Sequence, residues 1–481
     1  MPTDATIVWF RRDLRLEDQP ALHAAVQRGG AVVPVFIWDP EGESPWAPGA
    51  ASRWWLGESL RALDDDLAAL GSRLITRAGR SERVLPALAR EVGATAVTYG
   101  KRYEPSTRVQ EERVAEALRS VGAEPLAVDG GVLFPPTDVC GKSGKPYRVF
   151  TPYYNACLAH GVTDEFFPAP GVLAEPTAWP ASDDLAALRP KATSAAPDYD
   201  AYWRPGAAGA AAALNRFLSE ASEDYAQGRD LPGEAGTSRL SPHLHFGEIS
   251  PRRVWHAATA RLAVGSSSGA TRGLEAFRRQ LVWREFSAHL LHHAPHTQEA
   301  PLREAFEAFP WRDDVTAFHA WQEGRTGYPY IDAGMRELNE TGWMHNRVRM
   351  AAASFLVKHL LLPWQLGAHY FWERLVDADL ANNTMGWQWT AGCGADAAPY
   401  FRIFNPITQG EKFDAEGGYV RRWVPELETA PDHYLMRPWE ADPSELAFLG
   451  VVLGETYPLP VVDHRAARER ALAAYASTKK A

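Results

Sequence analysis

The chain has 481 residues, and at roughly 100–200 residues per domain this length is enough for two to four domains. Hydrophobic residues make up 46% of it and charged residues 23%, an ordinary globular composition that excludes a mainly disordered chain. The formal net charge is −10, so any nucleic acid must be bound by a local basic patch rather than by bulk charge.

Short β-rich runs alternate with helical patterns over the first 130 residues. The runs are Ala5–Phe10, Ala31–Trp38, Arg73–Thr76, Ala96–Tyr99 and Pro125–Val128. Between two of them, leucines at steps of four and three place one apolar stripe on a helix, at Leu56, Leu60, Leu63, Leu67 and Leu70. This alternation predicts a doubly wound parallel sheet in a first domain of residues 1–130.

The pattern changes twice after residue 130. Residues 131–205 are rich in Pro, Ala and acidic side chains, which predicts a long interdomain linker. From residue 206 to 481 the strand pattern is absent, and amphipathic helices such as Thr271–His292 and Trp343–Leu362 dominate. These features predict an all-helical second domain, so the fold class is α/β followed by all-α.

Cysteine usage and the N-terminus bear on the compartment. Cys140, Cys157 and Cys393 lie far apart without a CxxC pair, which favours neither a zinc site nor a disulfide framework and indicates a reducing compartment. The N-terminus becomes charged after a few apolar residues, and no run approaches the ~18 apolar residues of a membrane span. We therefore expect a cytoplasmic protein without membrane association, and a monomer.

The segment Thr237-Ser238-Arg239-Leu240-Ser241-Pro242 carries a helix-start signal. Ser241 suits an N-cap and Pro242 the first helical position, so a well-capped helix explains the pattern. The alternative is functional, because hydroxyls, backbone N–H groups and Arg239 at a helix N-terminus suit a diphosphate.

Two predicted helices carry polar side chains among flat apolar ones on a single face. The residues that share a face are Gln280, Trp283, Arg284 and Ser287 in one helix, and Asn346, Arg349 and Met350 in the other. Core packing explains Trp283 and Met350, but it explains the polar members poorly. The mixture suits a pocket for a nucleobase-like ligand, and the high total of 18 Trp also favours a flat ligand.

Carboxylates and amides cluster at Asp377, Asp379, Asn382 and Asn383, next to Trp387 and Trp389. Helix capping and an ion pair explain the cluster structurally. A metal ion is disfavoured because no His lies at ligand spacing, and we predict no metal site. A carboxylate beside a ring nitrogen would instead serve a flavin-like cofactor.

Six motifs occur in a fixed order after the opening VWFRRDLRLEDQPAL. They are TSRLSPHL, QLVWREF, WQEGRTGYPYIDAGMREL, TGWMHNRVRM, DADLANNTMGWQW and GADAAPYFRIFNP. Over essentially the whole chain this pattern resembles the cryptochrome/photolyase family. WWLGESL and DADLANNTMGWQW resemble the bacterial cyclobutane pyrimidine dimer (CPD) photolyases that are close to plant cryptochromes. The resemblance implies an N-terminal antenna domain and a helical domain that holds a folded-back FAD.

The resemblance implies a set of FAD-binding residues. They are Tyr225, Thr237, Ser238, Arg239, Leu240 and Ser241 around the diphosphate, with Arg284, Arg349, Asp377, Asp379 and Asn383. Arg349 would pair with Asp377, and Asp379 would face the isoalloxazine edge. Asn383 would lie at flavin N5, where a neutral amide instead of the Asp of plant cryptochromes favours the fully reduced anionic flavin that repair needs.

Lesion, DNA and electron-transfer residues carry over in the same way. Two Trp against the dimer match Trp283 and Trp389, with Gln280, Asn346, Arg347 and Met350 nearby. The (6-4) enzymes have His in place of Asn346, so the match is to CPD lesions. Residues that touch DNA phosphates in relatives match Arg229, Arg347 and Arg402, and the electron-transfer chain matches Trp387, Trp364 and Trp311.

Two departures limit this transfer. Gln280 stands where photolyases of this type usually have Glu, which affects contact with the lesion. The stretch Tyr103–Thr107 lacks the Asn-Glu pair of one known folate site, so the antenna stays open between methenyltetrahydrofolate and a deazaflavin.

The sequence thus predicts light-driven repair of pyrimidine dimers in DNA. Excited FADH⁻ donates one electron, the cyclobutane ring splits and the electron returns, after the damaged nucleotides have left the base stack. The first alternative is a signalling cryptochrome without repair activity, which is disfavoured because the chain ends soon after residues 465–471. The second is a FAD electron-transfer protein, which would not need Trp283, Asn346 and Trp389 together.

Overall fold

The computed structural model describes residues 5–141, 144–184, 197–263, 267–397 and 401–478. Part of the predicted linker, residues 142–143 and 185–196, lies outside the described residues, as does part of the motif GADAAPYFRIFNP at 398–400.

The first domain contains a five-stranded parallel sheet. Its strands are β1 (Ala5–Phe10), β2 (Val32–Trp38), β3 (Ile75–Ala78), β4 (Ala94–Gly100) and β5 (Glu124–Val128). They are ordered β3-β2-β1-β4-β5, so β1 is central and the chain reverses its direction across the sheet there. Every residue of β1 is buried, as a strand covered on both faces requires. The predicted doubly wound sheet is therefore confirmed, although the third strand begins two residues later than predicted.

Four helices connect these strands. They are α1 (Pro20–Arg28), α2 (Ala50–Ala68), α3 (Ser81–Val92) and α4 (Pro105–Ser120). Four of the five predicted stripe leucines are fully buried along α2, and they pack in a cluster with Val8 and Phe36 of the sheet. The stripe thus fixes α2 on one face of the sheet.

The segment predicted as a linker packs on both domains, since its later part bonds through Phe167 to Asp18 and through Asp183 to Thr76 of the first domain. It contains helix α5 (Phe150–His160), whose Phe150 and Tyr153 pack on aromatic side chains of a later helix. The buried carboxylate of Glu285 accepts hydrogen bonds from the backbone N–H groups of Leu133 and Phe134, at 2.7 and 3.1 Å. These contacts hold Leu133, Phe134 and α5 against the second domain.

The second domain is helical, as predicted. Its helices are α6 (Ala207–Arg216), α7 (Tyr225–Gly228), α8 (Ser241–Phe246), α9 (Pro251–Ala263), α10 (Ser268–His293), α11 (Val315–Gln322), α12 (Pro329–Thr341), α13 (Asn346–Ser354), α14 (Trp364–Arg374), α15 (Leu380–Ala391), α16 (Pro406–Phe413), α17 (Gly418–Trp423), α18 (Asp432–Leu435), α19 (Pro443–Phe448) and α20 (His464–Thr478). Among the described residues after 206, the one β feature is an isolated bridge between Leu453 and Tyr457.

Two predicted helix boundaries were wrong. The helix predicted over Trp343–Leu362 begins at Asn346, because His345 is its N-cap and accepts a hydrogen bond from the Arg347 N–H. It continues as a π-helical turn over Phe355–His359, and the positive φ of Leu361 separates it from α14. Ser241 is the first residue of α8 and not its N-cap, a position that Leu240 occupies.

No helix among the described residues is both long enough and apolar enough to cross a membrane. All three cysteines carry free thiols, as expected in the absence of a disulfide framework.

Candidate functional site

An arginine–aspartate pair joins α13 to the segment before α15. The Arg349 Nη2 donates to both carboxylate oxygens of Asp377, at 2.8 and 3.0 Å. Its Nε donates to the carbonyl of Met344 at 2.7 Å. The side chain of Asp377 is only 4% exposed, whereas that of Arg349 is 24% exposed. The predicted pairing is thus formed, and part of the guanidinium stays open to a ligand.

Asp379 begins helix α15 and presents one free carboxylate oxygen. Its Oδ1 accepts from the backbone N–H and the side-chain amide of Asn382, at 2.8 and 2.7 Å. Its Oδ2 lies 3.6 Å from Nδ1 of His245, which is too long for a hydrogen bond. Burial by itself would raise the pKa of Asp379, but the polar ring of the neighbouring His245, the positive charge of Arg284 and the backbone N–H of Asn382 lower it below its usual value. This carboxylate therefore stays ionised at neutral pH.

Asn383 lies one turn into the same helix. Its side-chain Nδ2 donates to the carbonyl of Ala368 at 3.1 Å, so the amide is oriented and its oxygen remains available. The described residues contain no group of three or more His, Cys, Asp or Glu side chains arranged to hold a metal ion.

The segment before α8 presents a cation and hydroxyl groups. Arg239 has a positive φ of 55°, and its guanidinium lies 4.2 Å from the ring centre of Trp343. The Ser241 hydroxyl accepts from Nε1 of Trp343 at 3.4 Å, and the Ser238 hydroxyl accepts from the Leu240 N–H. Thr237 is tied by its carbonyl to Arg216 at 3.4 Å. These contacts fix the segment, so that its hydroxyl groups and the Arg239 guanidinium lie at the start of α8.

Tyr225 begins α7 and belongs to the same hydrophobic cluster as Leu240. It is buried edge-on against Phe217 and Phe277, at ring distances of 5.2 and 5.5 Å, and burial raises its pKa. A role at the diphosphate stays a prediction for this residue.

Buried polar atoms without protein partners test whether a cofactor fits here. His345 accepts through Nδ1 from the Arg347 N–H, so the neutral ring carries its proton on Nε2, which is buried and has no partner among the described residues. The buried Nε2 of His245 likewise has none. Both rings stay neutral, because burial lowers the pKa of His345 to about 4 and also lowers that of His245. Orphan imidazole atoms beside Arg239, Arg349 and Asp379 fit a polar ligand such as FAD.

The two tryptophans predicted at the lesion lie on neighbouring helices. Helices α10 and α15 pack against each other, since the Ser287 hydroxyl lies 3.3 Å from the Met385 sulfur and Leu291 lines the same cavity as Ala381. Trp283 is one turn before Ser287, and Trp389 is one turn after Met385.

Phe150 and Asp396 bridge the same two side chains. Phe150 stacks on Trp283 with ring centres 3.6 Å apart and planes within 4°. The carbonyl of Asp396 accepts from Nε1 of Trp389 at 3.1 Å, and the Asp396 side chain interacts with the Phe150 backbone. The sequence analysis selected neither residue: Phe150 stands in none of the quoted motifs, and Asp396 stands in GADAAPYFRIFNP without being assigned a role. The structure thus connects Trp283 to Trp389 through Phe150 and Asp396.

A chain of polar contacts links the predicted DNA residues. The Arg229 Nη2 donates to Oε1 of Gln280 at 3.2 Å, and its Nε lies 3.9 Å from Asp230. The Arg347 Nη2 donates to the same Asp230 carboxylate at 2.6 Å. Asp230 thus lies next to two predicted phosphate-binding arginines, Arg229 and Arg347, and close to Gln280. The sequence analysis did not select Asp230.

Asn346 and Met350 lie beside this chain at the start of α13. Asn346 is exposed, and its Nδ2 lies 3.8 Å from the Met350 sulfur. Arg402 is also exposed and lines a separate cavity together with Trp389.

The three tryptophans of the predicted electron chain are connected through helix α14. Trp387 packs so closely on Gly367 that a Cβ there would lie 2.0 Å from its ring, and Gly367 is one turn from Trp364. The backbone next to Trp311 bonds to the segment before α14, through Arg312 N–H to Leu361 O at 2.8 Å. Trp387 and Trp364 are buried, whereas Trp311 is half-buried, so the series leads outward.

Arg284 lies near Asp379, another predicted FAD residue, and also bonds to the segment that follows the first domain. It donates to Glu285 and to the carbonyl of Gly131, both at 3.0 Å. It lines an interdomain cleft of about 840 Å³ together with His245 and Asp379. His245 is a residue that the sequence analysis did not select, although it directly follows the motif TSRLSPHL.

Comparisons with known proteins agree with this arrangement. Residues 6–171 match the family model described as DNA photolyase, and residues 277–477 match the FAD binding domain of DNA photolyase. A deoxyribodipyrimidine photo-lyase of Agrobacterium fabrum is 48% identical over 100% of this chain and 99% of its own length. Cryptochrome-2 of Arabidopsis thaliana is 41% identical over 99% of this chain and 79% of its own length.

Solved structures extend the likeness to the fold. The crystal structure of a bacterial class III photolyase from Agrobacterium tumefaciens superimposes with a TM-score of 0.95 at 47% identity, and it covers 100% of this chain and 99% of its own. Both domains, the ordered motifs and the full-length identity lead to one conclusion: the chain belongs to the photolyase/cryptochrome family.

Proposed function

We propose that this protein is a light-driven DNA repair enzyme that splits cyclobutane pyrimidine dimers, with FAD as its cofactor. The observation that carries the proposal is the connection of Trp283 to Trp389 through Phe150 and Asp396, together with the polar chain of Gln280, Arg229 and Arg347. Two flat apolar walls next to arginines suit a pair of bases that has left the DNA stack.

The FAD residues divide into binding and positioning roles. Arg239 and the hydroxyls of Thr237, Ser238 and Ser241 would bind the diphosphate, and Leu240 and Tyr225 would supply apolar contact. Arg349, fixed by Asp377, offers its open side to the cofactor. The ionised Asp379 would accept a hydrogen bond from the ring edge, and Arg284 would balance its charge.

When bound and reduced, FAD supplies the light-driven electron that opens the cyclobutane ring. The chain's own contribution is to exclude water, to hold the two bases and to keep protons in place. Asn383 has no titratable proton, so it would present a neutral amide to the flavin and would not protonate it. Trp387, Trp364 and Trp311 would relay electrons to the cofactor from the surface.

On the DNA side, Arg229, Arg347 and Arg402 would contact phosphates, and Asn346 and Gln280 would hydrogen-bond to base edges. Met350 would pack beside the lesion at the exposed start of α13. Specificity for the dimer would come from Trp283 and Trp389, because an undamaged base costs more to remove from the stack.

An antenna chromophore would occupy the interdomain cleft. The cleft lies at the carboxyl ends of β1, β4 and β5, and ligands of open parallel sheets bind where the strand order reverses. Its lining mixes cations and carboxylates, namely Arg12, Arg15, Lys101, Arg102 and Arg284 with Asp13, Glu104, Asp129 and Asp379, so its charge favours neither a folate nor a deazaflavin. The domain limits that we propose are 1–130 for the antenna domain, 131–205 for the connection and 206–481 for the FAD domain, in a cytoplasmic monomer.

The decisive experiment compares light and dark. The reduced protein is incubated with thymine-dimer DNA under near-UV or blue light, and dimer loss is measured against a dark control. Light-dependent loss with one flavin per chain is expected. A protein that binds FAD and responds to light but leaves dimers intact would instead be a signalling photoreceptor, and the repair proposal would be wrong.

A further inference from the structure

Lys358 is a buried ammonium group next to the predicted DNA-binding face. It lies on the π-helical turn Phe355–His359, a feature often found at functional sites, and it is 3% exposed. Its Nζ donates to the carbonyl of Arg402 at 2.6 Å and lies 4.0 Å from the ring centre of Phe401. Within the described part of the chain, no carboxylate lies within ion-pair distance of it.

This ammonium faces a cavity in which the charged side chains of the described lining residues are all cationic. The cavity has an open volume of about 380 Å³, and three cationic side chains line it, those of Arg303, Lys358 and Arg402. Trp389 and Thr390 complete the polar and aromatic part of the lining, and no described carboxylate takes part. Burying a cation without an opposite charge is costly, so the arrangement calls for an anion from outside.

The C-terminal helix makes the wall opposite Lys358. Tyr475 of α20 stacks on Phe401 with ring centres 4.5 Å apart and planes within 8°, and it lines the same cavity. The Arg470 guanidinium donates to the carbonyl of His359 at 2.7 Å. The segment that carries Arg402 is therefore held between α20 and the π-helical turn.

We propose that this cavity binds one backbone phosphate of the DNA strand, with Lys358 in the interior of the cavity and Arg303 and Arg402 at the opening of the cavity. The assignment rests on the proposed function, since the DNA must be seated against Trp389 for a phosphate to reach it. Lys358 keeps donors beyond the one used for Arg402, so it both positions the segment of Arg402 and meets the anion. Arg303 is exposed and reaches the phosphate from the other side.

The site makes DNA binding depend on pH. Burial lowers the pKa of Lys358 to about 7, and a phosphate placed beside it raises that value again. Binding therefore takes up a proton, and affinity falls as pH rises above about 7, by at most about tenfold per pH unit for one proton.

The neighbouring groups do not compete for this role. Burial raises the pKa of the Cys393 thiol to about 12 and lowers that of His359 to about 3, so both stay neutral between pH 6 and 9. The remaining groups that face this turn are Arg303, Arg402, Arg470 and His464. Burial also lowers the pKa of His464.

The test measures affinity in the dark for a duplex with a single thymine dimer, over pH 6–9 and 50–300 mM salt, using flavin-loaded protein. Lys358→Met should flatten the pH dependence and reduce the salt slope by about 0.7–0.9, the value for one phosphate. Lys145→Met removes the same charge from an exposed position outside the cavity and should change neither quantity.

Two further measurements keep the test decisive if Lys358→Met folds poorly. Arg303→Gln, at an exposed position, should reduce the salt slope by the same amount, and calorimetry of the unmodified protein in buffers of different ionisation enthalpy should show proton uptake near pH 7.5. Unchanged slopes in both variants, or no proton uptake, would overturn the phosphate site while the repair proposal stood. Failure of the unmodified protein to bind dimer DNA would refute the proposed function itself.

Discussion

Replacing Asp377 with Asn gives the most direct test of the helical pocket. The change keeps the shape of the side chain and removes only its charge, and Arg349 stays held by the carbonyl of Met344 at 2.7 Å. Breaking a buried ion pair costs about 3–5 kcal/mol, because one charge is left unpaired. Since Arg349 is 24% exposed, water compensates part of this cost, and we expect the low end, about 3 kcal/mol. At ~2 °C per kcal/mol for a large domain, Tm should fall by about 6 °C.

The assay is thermal unfolding together with flavin content after purification. Asp377→Asn should lose most of its FAD, because the charge of Arg349 is no longer neutralised and its guanidinium is no longer held by two carboxylate oxygens. Asp432→Asn is the matched control, because Arg421 pairs with Asp432 at 2.6 Å but that carboxylate is 84% exposed. The control should cost at most about 1 kcal/mol. Equal Tm shifts for the two variants, with full flavin content, would refute the reasoning.

Three further predictions concern electron transfer, DNA and the lesion. Trp364→Phe should block photoreduction of oxidised flavin by an external donor while chemically reduced protein still repairs, and loss of both would assign Trp364 to the fold. Arg402→Ala should weaken damaged and undamaged DNA alike and flatten the salt slope by about 0.7–0.9; an unaltered slope would place the phosphate contact elsewhere. Gln280→Glu should keep FAD and keep lesion binding within about tenfold, and it should raise repair per absorbed photon if the lesion displaces the Arg229 contact so that the acid is protonated. A lower or unchanged yield would show that Arg229 keeps the carboxylate ionised.

Much of the fold followed from local patterns. Continuous buried apolar runs specified the parallel sheet, and a leucine stripe specified α2. A strand buried on both faces shows an unbroken apolar run, whereas a helix buried on one face shows an apolar residue at every third or fourth position. The ordered motifs named the Arg349–Asp377 pair and the two tryptophans. Helix ends were less accurate, since the cap at His345 and the positive φ of Leu361 depend on individual contacts rather than on periodicity.

Other features depended on contacts between residues far apart in the chain. The sequence by itself determined which residue types are available, namely Gln280 in place of Glu, a neutral Asn383 and a series of tryptophans. Only the tertiary structure decided that Gln280 meets Arg229, that Phe150 stacks on Trp283, and that Lys358 is buried against the Arg402 carbonyl, in a cavity that no carboxylate of the described residues lines. The physical reason is that the partner, burial and charge state of a side chain depend on the elements that pack around it. Helix packing brings together residues that are far apart in the chain, and no local sequence pattern predicts which residues these are.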